Sequence, residues 1–300
     1  MSFYKTASVS VLGSWSGNRT ALKASETRTA SYFLQQPGSI DIEAVLADVS
    51  EPYQISTNPK DFIFVPVRAN SVGVPNENAD AFSKAETLRF DHKIGRRVYQ
   101  TYLAKPHHVN HRTDNPKMAR GVIVDVHYND HNPMPADWRA RYEAATGASL
   151  PNDEFVETLL AIDASKDPHL AEGIKSGVIN AFSMGCECDR TACSICNHIA
   201  SNRSQFCDHL KYGNKNKWYD VDGTKRQAFE WCMGVVYAEL SAVDQPADPR
   251  ALSNGDVFSL QASVSREEYL KVLAFAKINA ETLPDVVADL VADYLENQNV

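Results

Sequence analysis

The chain has 300 residues, 43% of them hydrophobic and 23% charged, a balance that supports a sizeable buried core and argues against wholesale disorder. With 30 Lys+Arg against 38 Asp+Glu the net charge is −8, which disfavours bulk binding of nucleic acid. Gly and Pro number 14 each, too few for a collagen-like repeat, and no run reaches the ~18–20 apolar residues needed to span a bilayer.

In chain order, residues 1–55 read as a partly ordered arm. Ser, Thr, Gly and Pro dominate, only Ile40–Val49 has a regular apolar pattern, and Met1–Thr29 has no apolar stretch of the kind a secretory signal needs. A core follows over 56–250. Asp61–Val67 and Arg120–Tyr128 predict buried strands, as does Phe155–Ile162. Val74–Asp80 is turn chemistry, with a short helix expected over Ala81–Leu88 and a longer one over Ala136–Ala145 that Gly147 ends. Asp167-Pro168 predicts an N-cap and first helical position, with Gly177 closing that helix. Val178–Met184 predicts a strand, then a Cys-rich insert over 186–232, then a long strand over Phe229–Val243. The 251–300 tail carries two helical patterns: Ser265 and Glu268 form a capping box before Tyr269–Ile278, and Leu283–Leu295 has apolar helical spacing. Strands outnumber helices, so the expected fold is mostly β with peripheral helices (α+β), as an antiparallel sheet or small barrel.

Five of the six cysteines lie between Cys186 and Cys207, which reads as metal binding in a reducing compartment rather than as a disulfide framework. Cys193-x-x-Cys196 presents two thiolates from one turn, and Cys207-x-His209 supplies a second pair, together making four tetrahedral ligands for a structural Zn²⁺. Cys186 and Cys188 compete for the same positions. The bland alternative is a set of free thiols or a redox pair.

Three further signals concern reactivity. His107, His108, His111, His127 and His131 crowd one stretch, where solvated loop histidines are the ordinary reading and a catalytic base is the sharper one; His111 stands out because it precedes a buried strand. Ser183 precedes Met184-Gly185 outside any GxSxG elbow, because Ala181 stands where the first glycine belongs. Gly185 suits close backbone approach beside an attacked carbonyl. Glu239 lies within a long apolar strand, where burial without a partner is costly, so it either faces solvent by strand alternation, which the pattern favours, or is paired.

Taken together, Lys105–His111, Gly121, Gly173-x-x-x-Gly177, Ser183–Cys186 and Glu239–Pro249 resemble the prohead maturation proteases of tailed bacteriophages, a serine protease group related in fold to the herpesvirus assemblin-type enzymes. The resemblance spans roughly residues 60–250, and the Cys/His insert looks like a variant of some phage core proteases. It implies an assemblin-like antiparallel β-barrel with a small zinc-binding insert. It further implies Ser183 as nucleophile, His111 as general base and Glu239 as third member, with Asp244 or a second histidine as alternatives and His107 or His108 as alternative bases. The implied activity is an endopeptidase inside the procapsid, in the host cytoplasm, whose substrates are scaffold or core proteins and the major capsid protein. Self-association is a further expectation; nucleic acid and membrane are not expected partners. The competing expectation is a non-catalytic, zinc-stabilised structural or scaffold-interaction protein of the procapsid, and a zinc hydrolase is a third.

Overall fold

The continuous apolar runs in the middle of the chain become long strands buried on both faces. A computed structural model describes residues 3–6, 42–150, 152–211, 213–255 and 257–259. The strands are β1 (Phe3–Thr6), β2 (Phe62–Ser71), β3 (Asp80–Phe82), β4 (Phe90–Asp91), β5 (Arg96–Arg97), β6 (Pro106–Val109), β7 (Gly121–Pro133), β8 (Asn152–Asp163), β9 (Phe182–Cys193), β10 (Ile199–Ala200), β11 (Trp218–Val221), β12 (Thr224–Gln227), β13 (Glu230–Ala242) and β14 (Phe258–Ser259). The helices are α1 (Ile42–Tyr53), α2 (Lys84–Leu88), α3 (Ala136–Thr146) and α4 (Pro168–Lys175). Most of the strands form one sheet in the order β1-β9-β13-β6-β7-β8-β2-β14, with β10 added to β9 and β3 to β13. The sheet curls into a half barrel, giving a β-dominant α+β fold.

Pairing is antiparallel except where β13 meets β3 and β6. One face of the sheet carries the main core, which includes Val65, Val67, Ile123, Leu160, Phe182, Met184 and Leu240. On the other face, α1 lays Leu46 and Val49 against Phe62, Phe64, Val122, Val124, Leu159 and Ala161. Coverage on both sides explains why β2, β7 and β8 read as unbroken apolar runs rather than alternating ones. Burying Leu46 fully contributes about 1.5–3 kcal/mol. The helix α1 lies inside the stretch expected to be a loose arm, so the packed core begins near Ile42. At Gly121 the strands come so close that a Cβ would sit 2.1 Å from the Ala161 carbonyl oxygen, which only glycine tolerates.

The local signals act as their chemistry requires. Asp167 caps α4 by accepting the Leu170 N–H at 3.0 Å, and Gly147 ends α3 at φ +71. The expected tail helices lie outside the described residues. Two readings need correction. The short helix spans only Lys84–Leu88, because Asp80–Phe82 pairs with β13 as a strand. Cys186 and Cys188 belong to β9 rather than to an insert, since β9 runs unbroken from Phe182 to Cys193. Among the described residues, no helix is long and apolar enough to cross a membrane.

A buried ionic clamp fixes the chain where it leaves β13. Asp153 accepts 2.8 Å hydrogen bonds from Arg68 Nη1 and Nη2 and another from Arg250 Nη1, while Asp248 accepts the Ser71 N–H at 2.6 Å. Burial alone would raise the Asp153 carboxyl, but Arg68 and Arg250 outweigh it and hold the group below the usual carboxylate range. The clamped segment then grips the start of β9, because the Ala251 carbonyl accepts the Phe182 N–H at 2.9 Å and Leu252 bridges Ala181. Replacing Asp153 by Ala leaves the buried Arg68 guanidinium and the part-buried Arg250 guanidinium beside each other without their shared carboxylate. Urea unfolding of Asp153→Ala is expected to show a loss of about 3–5 kcal/mol; a loss under ~1 kcal/mol, the range of an exposed pair, would refute the clamp.

Candidate functional site

The site is built by three adjacent strands, β9, β13 and β6. Across β9 and β13, Ser183 lies opposite Ser241 and Gly185 opposite Glu239; across β13 and β6, Ser241 lies opposite His108 and Leu240 opposite His107. Side chains alternate along a strand, so residues in register share a face. Phe182, Met184, Cys186, Leu240 and Ala242 take the core face. Ser183, Glu239, Ser241 and His108 therefore project together from the other.

His111 joins them from the turn that follows β6. Asn110 and His111 both adopt left-handed backbone conformations, φ +52 and +55, an uncommon pair for non-glycine residues. The Asn110 N–H donates to the Ala242 carbonyl at 2.9 Å, and the His111 N–H donates to Ser241 Oγ at 3.3 Å. These bonds hold the turn against the end of β13, offsetting local strain of order 1–3 kcal/mol per residue.

The carboxylate of Glu239 is 1% exposed and has two partners. His111 Nδ1 stands 2.6 Å from its Oε1, and the Ser241 hydroxyl donates to its Oε2 at 2.5 Å. Glu239 is thus buried and paired, not at the solvated position that alternation suggested. With Nδ1 engaged on the carboxylate, the ring presents Nε2. That atom is buried without a hydrogen-bond partner, and so is Ser183 Oγ. Ser183 itself is 1% exposed. Ser183 faces Ser241 across the ladder, where opposed Cβ atoms stand ≈4.5–5.5 Å apart, and the His111 turn is bonded to that same Ser241. The free nitrogen and the free hydroxyl are therefore neighbours of one residue.

The other histidines sort by face. His107 points into the core, packs 6.0 Å from the Phe182 ring and engages the Leu240 carbonyl oxygen through Nδ1 at 2.7 Å. Burial lowers it to about 3, so it is neutral and set apart from Ser183. His108 lies on the site face. Burial lowers its pKa, Glu239 acts in the opposite direction, and a hydrogen bond ties it to the Met118 backbone. Asp244 lies just beyond the end of β13 and is not a partner of His111, whose Nδ1 is held by Glu239. Ser241 was not singled out from the sequence. The one available signal was its i, i+2 spacing from Glu239 on a strand, which puts both on one face.

A second constellation lies at the far end of β9. The ligand atoms of Cys193, Cys196, Cys207 and His209 all fall within 4.8 Å of one another. Bonds of ≈2.0–2.3 Å to a tetrahedral ion put donor atoms roughly 3.5–3.8 Å apart, and Cys207 Sγ already lies 3.8 Å from His209 Nδ1. The Ile195 N–H donates to Cys193 Sγ at 3.4 Å, a bond that favours thiolate. Ala200, Phe206 and Leu210 form a small core of their own around Cys193, and the His209 ring is seated edge-on against Tyr219 at 4.7 Å. Without a cation, burial pushes the Cys193 thiol up to about 12; a bound divalent ion would reverse that balance. The donor set fits a metal ion. Cys186 and Cys188 do not join it, because alternation along β9 sends both into the main core, with their sulfurs 3.9 Å apart.

Comparison with protein-family models, with curated proteins and with solved structures gives no match. The metal cluster is checked by elemental analysis of the purified chain. Cys193→Ser and Cys207→Ser are expected to lose a bound divalent ion that Cys186→Ser retains, and equal metal content in all three would reject this ligand set.

Proposed function

We propose that the protein is a serine endopeptidase with Ser183 as nucleophile, His111 as general base and Glu239 as the group that orients the base. The observation that carries this reading is that Ser183 Oγ and His111 Nε2, on two residues that both adjoin Ser241, are buried without hydrogen-bond partners, while the other nitrogen of the imidazole is fixed on a buried carboxylate. Buried polar groups normally find partners, so a base nitrogen and a hydroxyl left unpartnered on residues that adjoin the same serine point to chemistry rather than to structure.

The steps follow from these groups. His111 Nε2 takes the hydroxyl proton as Ser183 Oγ bonds to the peptide carbonyl carbon. The C–N bond then breaks, with the proton passing from His111 to the leaving amine. Water, deprotonated by the same nitrogen, next attacks the acyl-enzyme ester; the C–Oγ bond breaks as His111 returns the proton to Ser183 Oγ, and the acid product leaves. Glu239 stabilises the imidazolium that forms in each half, and Ser241 fixes the second carboxylate oxygen.

The biological setting rests on the resemblance to phage prohead maturation proteases. The order His111, Ser183, Glu239 is that of the family, and a curled, β-dominant sheet agrees with an assemblin-like barrel. On this reading the substrates are scaffold or core proteins and the major capsid protein, cleaved inside the procapsid. The metal is Zn²⁺ in a structural role, since three thiolates and one imidazole leave no open position for substrate. When bound it supplies folding free energy to the Cys193–His209 loop.

Two variants test the machinery on procapsid proteins as substrates. Ser183→Ala and His111→Ala are expected to keep the wild-type circular dichroism and lose about 10³-fold or more of the cleavage rate. A folded Ser183→Ala variant that still cleaves at the parental rate rejects the nucleophile. Ser241→Ala removes a hydrogen bond to a charged group, worth ≈1.5–3 kcal/mol, so kcat should fall about 10- to 100-fold with KM unchanged. An unaltered kcat would show that Ser241 does not position the acid.

A further inference from the structure

We propose that the outer edge of β9 beside Ser183 is a binding site for extended peptide, and that the chain's own N-terminal strand β1 holds it in competition with substrate. This deepens the endopeptidase reading and rests on it for the identity of the competing ligand. The starting observation is register. β1 runs antiparallel to β9 with Phe3 opposite Cys188, Tyr4 opposite Glu187, Lys5 opposite Cys186 and Thr6 opposite Gly185. Ser183 is only two residues further along β9.

Main-chain direction shows which edge is involved. The Val243 N–H donates to the Ala181 carbonyl, so Ala181 offers its carbonyl to the β13 side; the Phe182 N–H donates instead to the Ala251 carbonyl on the opposite side. Alternation then directs the amide and carbonyl groups of Met184, Cys186 and Cys188 to that same outer edge. Three partners lie along it: the Ala251–Leu252 segment at Ala181–Phe182, β1 at Gly185–Cys188, and β10 at Thr191–Ala192. Around the site the first two matter. Met184 lies between them, adjacent to the reactive hydroxyl. A peptide laid in the register and direction of β1, and longer by two residues, meets Met184 and then Ser183. Such pairing draws affinity from main-chain hydrogen bonds, leaving sequence selection to alternate side chains.

Three features fit a displaceable occupant. β1 is four residues long, shorter than an average strand, and lies at the end of the sheet with β9 as its strand partner. Ser183 is almost completely buried, its hydroxyl oxygen included. Substrate therefore reaches the hydroxyl only after something is moved aside. Covalent attachment makes β1 an intramolecular competitor, which weakens an incoming peptide.

The test uses the full chain carrying Ser183→Ala, with a fluorescein-labelled synthetic peptide of residues 1–10 as probe and fluorescence polarisation as readout. Adding Lys5→Pro removes a ladder donor, and a second variant lacks residues 2–6. Both are expected to bind the probe about tenfold or more tighter than the parent. Equal affinity in all three, or binding to none, overturns the proposal. With Ser183 restored, Lys5→Pro should lower KM for casein about tenfold and leave kcat unchanged. If the probe responds to β1 while no variant turns over substrate, the edge site stands and the endopeptidase reading falls. Turnover that ignores both β1 variants retains the protease and overturns the edge site.

Discussion

The antiparallel ladder between β9 and β13 is the constraint on which the site depends. Its register sets Ser183 against Ser241 and Gly185 against Glu239. A shift of one residue would exchange the faces, sending Ser183 into the core and Phe182 out of it. The apolar face prevents that slip, because Phe182, Met184, Cys186 and Cys188 on β9 and Leu240 and Ala242 on β13 are all buried together. Hydrophobic burial on one side of the sheet thus fixes the geometry of polar groups on the other.

On the polar side, free energy is finely balanced. A buried carboxylate is costly unless paired, and Glu239 is satisfied at both oxygens by His111 and Ser241. The same arrangement leaves His111 Nε2 and Ser183 Oγ unsatisfied, at a cost of order 1–3 kcal/mol each. Left-handed backbone at Asn110 and His111 adds strain. On the proposed endopeptidase reading, a substrate carbonyl and a transferred proton would occupy these unmet positions. At Asp153, by contrast, both carboxylate oxygens are satisfied by its two arginines.

Local chemistry made parts of the structure legible in the sequence. The spacing of Cys193, Cys196, Cys207 and His209 identified the same four donors that converge in space, because a CxxC turn fixes its own geometry. The Asp167 cap and the Gly147 terminator were equally local. Long-range pairing was less readable. Glu239 looked solvated because strand alternation gives two faces but does not say what covers the second; its cover comes from the His111 turn, 128 positions away. Cys186 and Cys188 looked like part of the metal loop because sequence proximity was read as spatial proximity, whereas alternation buries them in the core. The hairpin of β11 and β12 went unread although Asp222-Gly223, both at positive φ, is a strong turn signal.

The metal cluster and the site are linked through the same ladder. Cys193 ends β9 and lies opposite Glu230, the first residue of β13, while Ser183 and Ser241 lie opposite each other near the other end. Between them the ladder carries a bulge, with a register shift between Tyr237 and Glu239. A bulge gives the strand local freedom to twist, so register on either side of it must be fixed separately. Next to the site, the fixing comes from the Ala251–Leu252 segment and the His111 turn. At the far end it comes from the Cys/His loop, whose closure by a metal ion would tie the end of β9 to the small core of Ala200, Phe206 and Leu210. A cluster at the far end of the ladder can thus bear on the proposed catalytic groups, by holding one end of the strand on which Ser183 stands.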